Sequence, residues 1–149
     1  MQPELEALLA TLQGLRVAVL KKLAGLSEDD ARRSTVPSGT SIAGIVQHLT
    51  FVESKWFEEV AAGGKQTRGT RSMQVSHTVS LRDLRAEYKA ACEASDDIIA
   101  SIGDAATLVT VDKKRLDLRA VMLIVINETA RHAGHADILR EQIDGQVGR

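Results

Sequence analysis

Hydrophobic positions recur at steps of three and four along most of this chain. Leu5, Leu8, Leu12, Leu15, Val19 and Leu23 form the first stripe, which predicts an amphipathic helix. Ser27, followed by Glu28, Asp29 and Asp30, has the form of a cap on a short connecting turn. Pro37-Ser-Gly-Thr-Ser41 opens a second helix, with Thr40 or Ser41 as N-cap and Ile42, Ile45, Leu49, Val52, Trp56 and Val60 on one face. Gly63 and Gly64 end it. Residues 64–79 carry no stripe, so this long break is expected to be a lid, a partner-binding loop or a mobile segment. Ser80 to Asp83 resembles a capping box for a third helix, whose stripe runs Leu81, Leu84, Tyr88, Ala91, Ala94, Ile98 and Ile102 before Gly103. A fourth helix is predicted over about residues 114–144, stopped by Gly145. Four amphipathic helices around one core make an all-α four-helix bundle.

Composition sharpens this picture. The 149 residues fit one domain across 1–149. Aromatic residues are 3% of the chain, low for a β-rich fold. Nineteen basic against twenty acidic residues leave no basic footprint for nucleic acid, and Lys65, Arg68 and Arg71 in the break lack interleaved aromatics. The longest apolar run, Ala120 to Ile126, is seven residues, too short for a membrane span. The first ten residues lack the basic and apolar regions of a secretory leader, and Cys92 stands alone, so a reducing cytoplasm is the expected location.

The predicted fourth helix carries the candidate chemistry. At about 100° per residue, Val121, Ile124, Val125, Leu139 and Ile143 share one arc, with Glu128, His132 and His135 near its centre. Arg131 falls at the flank. An ionised carboxylate on an inward face requires a partner or a metal. Imidazole and carboxylate suit zinc, nickel or ferrous iron, and Glu128 and His132 lie one turn apart. His48, about 80° from the centre of the second helix's stripe, is placed to supply a third ligand. Structural alternatives stand beside this. His48 alone fits a hydrogen-bonded boundary residue. Glu128 with His132 fits an intrahelical ion pair or a dimer face. His135 fits a ligand, a base or a donor behind the ligands. His77 fits ordinary surface, and Cys92, among Ala90, Ala91 and Ala94, fits a small packing residue.

Two stretches carry a family resemblance. Residues 128–145, ETARHAGHADILREQIDG, and residues 36–57, VPSGTSIAGIVQHLTFVESKWF, resemble the DinB/YfiT-like metalloenzyme superfamily, in its short actinobacterial-type branch. The resemblance spans nearly the whole chain. It implies a four-helix bundle with a divalent metal held by His48, Glu128 and His132. Mycothiol-dependent maleylpyruvate isomerases are similar in using histidine, glutamate and histidine. Many relatives have histidine where Glu128 stands, and others carry a further histidine one turn earlier, where this chain has Ile124. The resemblance also implies chemistry on a small-molecule substrate with a low-molecular-weight thiol such as mycothiol or bacillithiol: S-transfer or isomerisation. The expected mechanism has the metal hold the thiol as thiolate, His135 shuttle the proton and Arg131 steady an anionic group. The alternative function is a non-catalytic, stress-related or partner-binding bundle with a vestigial site. A homodimer fits the family likeness, with Trp56 and Phe57 available for it, although Trp56 also fits the core stripe.

Overall fold

The computed structural model describes residues 1–111 and 114–148. Its elements in order are α1 (Pro3–Leu23), α2 (Glu28–Arg32), α3 (Ile42–Glu53), a π-helical continuation (Ser54–Ala61), α4 (Leu81–Ile102), β1 (Leu108–Val111), β2 (Lys114–Asp117) and α5 (Leu118–Asp144). It is an all-α bundle with, among the described residues, one small antiparallel pair of strands. Among the described residues, no helix is long and apolar enough to cross a membrane.

Local chemistry sets most element ends. Pro3 opens α1, where its missing N–H costs nothing. Ser27 Oγ accepts from Asp30 N and starts α2, Ser41 Oγ accepts from Gly44 N and starts α3, and Ser80 Oγ accepts from Asp83 N and starts α4. Gly103 and Gly145 close α4 and α5 at φ 71° and 79°, the left-handed conformation that glycine adopts without strain.

The fourth long helix starts later than the sequence suggests. Residues 114–117 form a strand, paired antiparallel with β1 in the register Leu108↔Asp117 and Val109↔Leu116. The β-branched run Val109-Thr-Val favours this extended form. Asp117 then caps α5 by accepting from Ala120 N.

Side-chain pairs fix the topology. Glu4 bonds Arg119, and Lys22 lies 3.1 Å from Asp137, so α1 and α5 run parallel. Arg140, 6% exposed, donates to the carbonyls of Lys22 and Ala24 and satisfies the open end of α1. His48 meets Glu128 while Thr35 meets Gln142, so α3 runs antiparallel to α5. The start of α4 bonds α2, with Leu81 N donating to Glu28. Asp96, later on α4, and Glu53, at the end of α3, both reach Arg16. Helices α3 and α4 are therefore parallel, giving an up-down-down-up bundle.

Parallel neighbours need a long crossover, and this explains the break. The α3 helix and its continuation, 20 residues, span about 30 Å. A nearly extended chain covers that distance with about nine residues at ~3.3 Å each. Residues 64–79 make this return, packed along α3 as a strap. Thr67 and Arg68 donate backbone N–H groups to Ser54 Oγ, and Gln47 Nε2 donates to the carbonyls of Ser72 and Gln74. Two glycines permit the close approach. A Cβ on Gly69 would collide with the backbone nitrogen of Phe51, and one on Gly44 with the carbonyl of Met73.

The core is aliphatic, with Leu5, Leu12, Ile45, Leu49, Ile99, Val121 and Met122 almost fully buried around Phe57 and Tyr88. Phe57 occupies the place the pattern gave to Trp56. In the π-helical segment the Ala62 N–H bonds Phe57 O, five residues back, and the wider turn advances the inward face by one residue. Phe57 is thereby 0% exposed and offers nothing to a dimer, while Trp56 packs half-buried at the core's edge. Among the described residues, one ion pair has both side chains within this core. Arg16 Nε and Nη2 each donate at 2.8 Å to Glu53, and Nη1 donates to Asp96 at 2.7 Å. A bidentate guanidinium–carboxylate pair is the geometry in which burial of both charges is tolerated.

Candidate metal centre

Helix periodicity alone brings two of the candidate ligands together. Glu128 and His132 sit one turn apart on α5, with His132 Nε2 3.6 Å from Glu128 Oε2. Antiparallel packing of α3 adds His48, whose Nε2 lies 3.9 Å from the same oxygen. One ligand atom from each of the three residues falls within 4.8 Å of the others. The His48 and His132 rings meet edge to face, 4.8 Å between centroids.

The cluster sits at the rim of the bundle rather than at its centre. The buried arc of α5 runs through Val121, Val125, Thr129, Ala133 and Ala136. This is rotated from the arc drawn on the sequence, so Glu128 flanks the core and its side chain is 31% exposed. Ile124 is partly buried, one turn before Glu128. His48 and His132 are more enclosed, their side chains 16% and 12% exposed. His135 is exposed, with its ring 5.5 Å from that of His132. Arg131 is exposed too, and its charge is felt at His132. His77 is surface, as expected.

The strap orients His48. The backbone carbonyl of Arg71 lies 3.1 Å from His48 Nδ1. A carbonyl can only accept, so Nδ1 carries the hydrogen and Nε2 presents its lone pair toward Glu128. The Arg71 guanidinium folds back over Phe51, 5.4 Å from the ring centre. Burial pushes the pKa of His132 below its ordinary 6.5, the neighbouring His48 adds to this, and Glu128 opposes it. His132 is therefore neutral at pH 7, the form that binds metal.

The donor set fits a divalent cation. Contacts of 3.6 and 3.9 Å are too long for hydrogen bonds, so the three groups face one another without satisfying one another. Ligands at 2.0–2.2 Å from a tetrahedral ion lie about 3.3–3.6 Å apart, close to this spacing. His132 Nδ1 is buried without a hydrogen-bond partner among the described residues. The partial exposure leaves one side open for a further ligand.

A family model described as Mycothiol-S-transferase matches residues 7–145. The chain belongs to this family. The mycothiol S-transferase family is DinB-like, and the match takes in α3, the strap and all of α5, the segments that build the cluster. No curated protein matches the chain.

Sequence reasoning singled out His48, Glu128, His132, His135 and Arg131; the fold brings the first three together on the α3–α5 seam, sets His135 beside His132 and leaves Arg131 exposed next to it. It missed the Arg71 carbonyl, because a backbone acceptor has no residue-type signature. It also missed Arg16 and Glu53, although each stands on an apolar stripe, four residues after Leu12 and Leu49. Cys92 is no part of the site. It packs against the core, and burial, with the Glu53 charge, pushes its thiol far above the usual range.

Proposed function

We propose that this chain is a divalent-metal-dependent S-transferase that joins mycothiol to a small electrophile. The observation that carries this is the convergence of His48, Glu128 and His132 on one partly open point, within a chain of the mycothiol S-transferase family. Zinc, nickel and ferrous iron all suit these ligands. When bound, the metal lowers the pKa of a coordinated thiol, so that sulfur is presented as thiolate.

The protein's own groups do the rest. His48 Nε2, Glu128 Oε2 and His132 Nε2 would hold the ion, and the Arg71 carbonyl keeps His48 in the required tautomer. His135, exposed beside His132, accepts the proton released from the thiol S–H at a ring nitrogen. Arg131 is placed to pair with an anionic group on thiol or electrophile. The sulfur lone pair then forms the S–C bond while the leaving group departs with its bonding electrons, which balances the step without an oxidant or reductant.

The test is elemental analysis of untagged protein purified without chelator, beside His132→Ala, followed by transfer of mycothiol to monochlorobimane. About one metal per chain, lost in the variant, with metal-dependent conjugation, supports this function. No metal in either protein after reconstitution with zinc, nickel and ferrous iron overturns it and leaves the α5 cluster as an ion pair at a partner-binding face.

A further inference from the structure

Next to the cluster, toward the C-terminal end of α5, lies an open groove of about 310 Å³ lined by Val36, Ser38, Thr40, His135, Ile138 and Leu139. One wall is the 36–40 segment that leads into α3, and the other is the last turns of α5. His135 stands between the groove and the candidate metal centre. Its ring belongs to the groove wall and also lies 5.5 Å from His132, so the groove begins one imidazole width from the candidate ligands.

The lining specifies the chemistry of an occupant. Val36, Ile138 and Leu139 are aliphatic, and Ser38 and Thr40 contribute hydroxyls 3.0 Å apart. Among the described residues no Asp, Glu, Lys or Arg lines it, so no fixed charge favours an ionic occupant over a neutral one. The volume is at the lower end of the ~300–1,000 Å³ range of small-molecule sites. Ile138 is 55% exposed here, a large apolar side chain held open to solvent beside polar groups that converge on one point.

We infer that this groove binds the electrophile: a small, uncharged, largely apolar molecule whose reactive carbon faces past His135 toward the point on which His48, Glu128 and His132 converge. The inference rests on the S-transferase function proposed above and assigns the second substrate its place. For an alkyl chloride, the thiolate sulfur bonds the carbon and chloride leaves with the bonding pair.

Two measurements test it. The first needs neither metal nor turnover: NMR titration of the protein with the chloride-free methyl bimane, a non-reactive, uncharged analogue of monochlorobimane. Shifts clustered on Val36, Ile138 and Leu139 are expected, and shifts elsewhere or none overturn the groove. The second uses Ile138→Arg, a surface substitution that puts a charge into the groove. The expected result is a KM for monochlorobimane raised about tenfold or more, with the KM for mycothiol and the metal content unchanged. An unchanged KM in active Ile138→Arg overturns the groove and leaves the S-transferase function standing. Methyl bimane bound in the groove of a protein that takes up no metal overturns the S-transferase function and the electrophile's role, and so separates the two failures.

Discussion

The carbonyl of Arg71 and Nδ1 of His48 are 3.1 Å apart, and through this contact the α3–α4 crossover reaches the candidate metal centre. Partners behind a ligating histidine commonly change metal affinity 10–100-fold. Gly69→Val tests the coupling. Gly69 has φ +70° and no room for a Cβ against Phe51, so the substitution lifts the strap from α3. The expected outcome is zinc affinity about 10–100-fold weaker by competition titration, with helical circular dichroism retained. Unchanged affinity would show that the strap does not orient His48.

Position 128 discriminates a ligand from a mere charge. Glu128→His keeps a donor at the cluster, whereas Glu128→Ala removes one of three. Metal content near wild type in the histidine variant and strongly reduced in the alanine variant is expected by elemental analysis. Equal loss in both would mean that the carboxylate acts by its charge alone.

The Arg16–Glu53 pair supports the fold away from the site. With side chains 6% and 1% exposed, removal of Arg16 strands Glu53 in the core, whereas removal of Glu53 leaves Arg16 with Asp96. Arg16→Met should cost about 3–5 kcal/mol in urea unfolding, and the double replacement Arg16→Met with Glu53→Leu clearly less. The paired replacement faring no better than the single one would rule out a stranded charge as the cause.

Glu58 anchors the start of the strap and gives it a pH dependence. Burial alone would raise its pKa, but hydrogen bonds from Thr67 and Ser54 and the charge of Arg68 hold it below the ordinary 4.5. The unfolded chain therefore takes up this proton more readily than the folded one. Glu58 contributes stability that is complete above about pH 4.5 and is lost as pH falls through the lowered value. Urea midpoints between pH 3 and 6 should fall less steeply in Glu58→Gln than in the parent protein. Identical slopes would remove Glu58 from the acid response.

Cys92 provides a control on the chemistry. Its raised pKa leaves almost no thiolate at pH 8, so iodoacetamide should label the folded protein slowly and the urea-unfolded protein readily. Cys92→Ser should retain mycothiol transfer. Loss of transfer in that folded variant would require a role for the side chain that its packing does not suggest.

Helix ends were legible because single residues encode them: Ser41 and Ser80 as acceptors, Gly103 and Gly145 as left-handed stops. The strand pair was not, because strands of four residues are too short to establish a period and Leu116 continued the apolar pattern into α5. The exchange of Trp56 for Phe57 was hidden for a related reason, since a helical wheel assumes a uniform turn. The break at 64–79 was visible as an absence of pattern. Its purpose followed only once α3 and α4 proved parallel. At the site, the spacing of Glu128 and His132 could be read directly, and His48 came from its place beside a stripe together with family resemblance. The Arg16–Glu53 pairing depends on how α1 crosses α3, which neither helix specifies alone.

The wide turn after Glu53 has a consequence for how this chain compares with its relatives. It holds one residue more than a regular helix would use to cover the same ground. A relative that lacks this extra residue would be one position shorter between Ser54 and Phe57, and its large core aromatic would fall one place earlier in the sequence. An alignment drawn without a gap would then pair Phe57 with a surface position and record a substitution where the real event is an insertion.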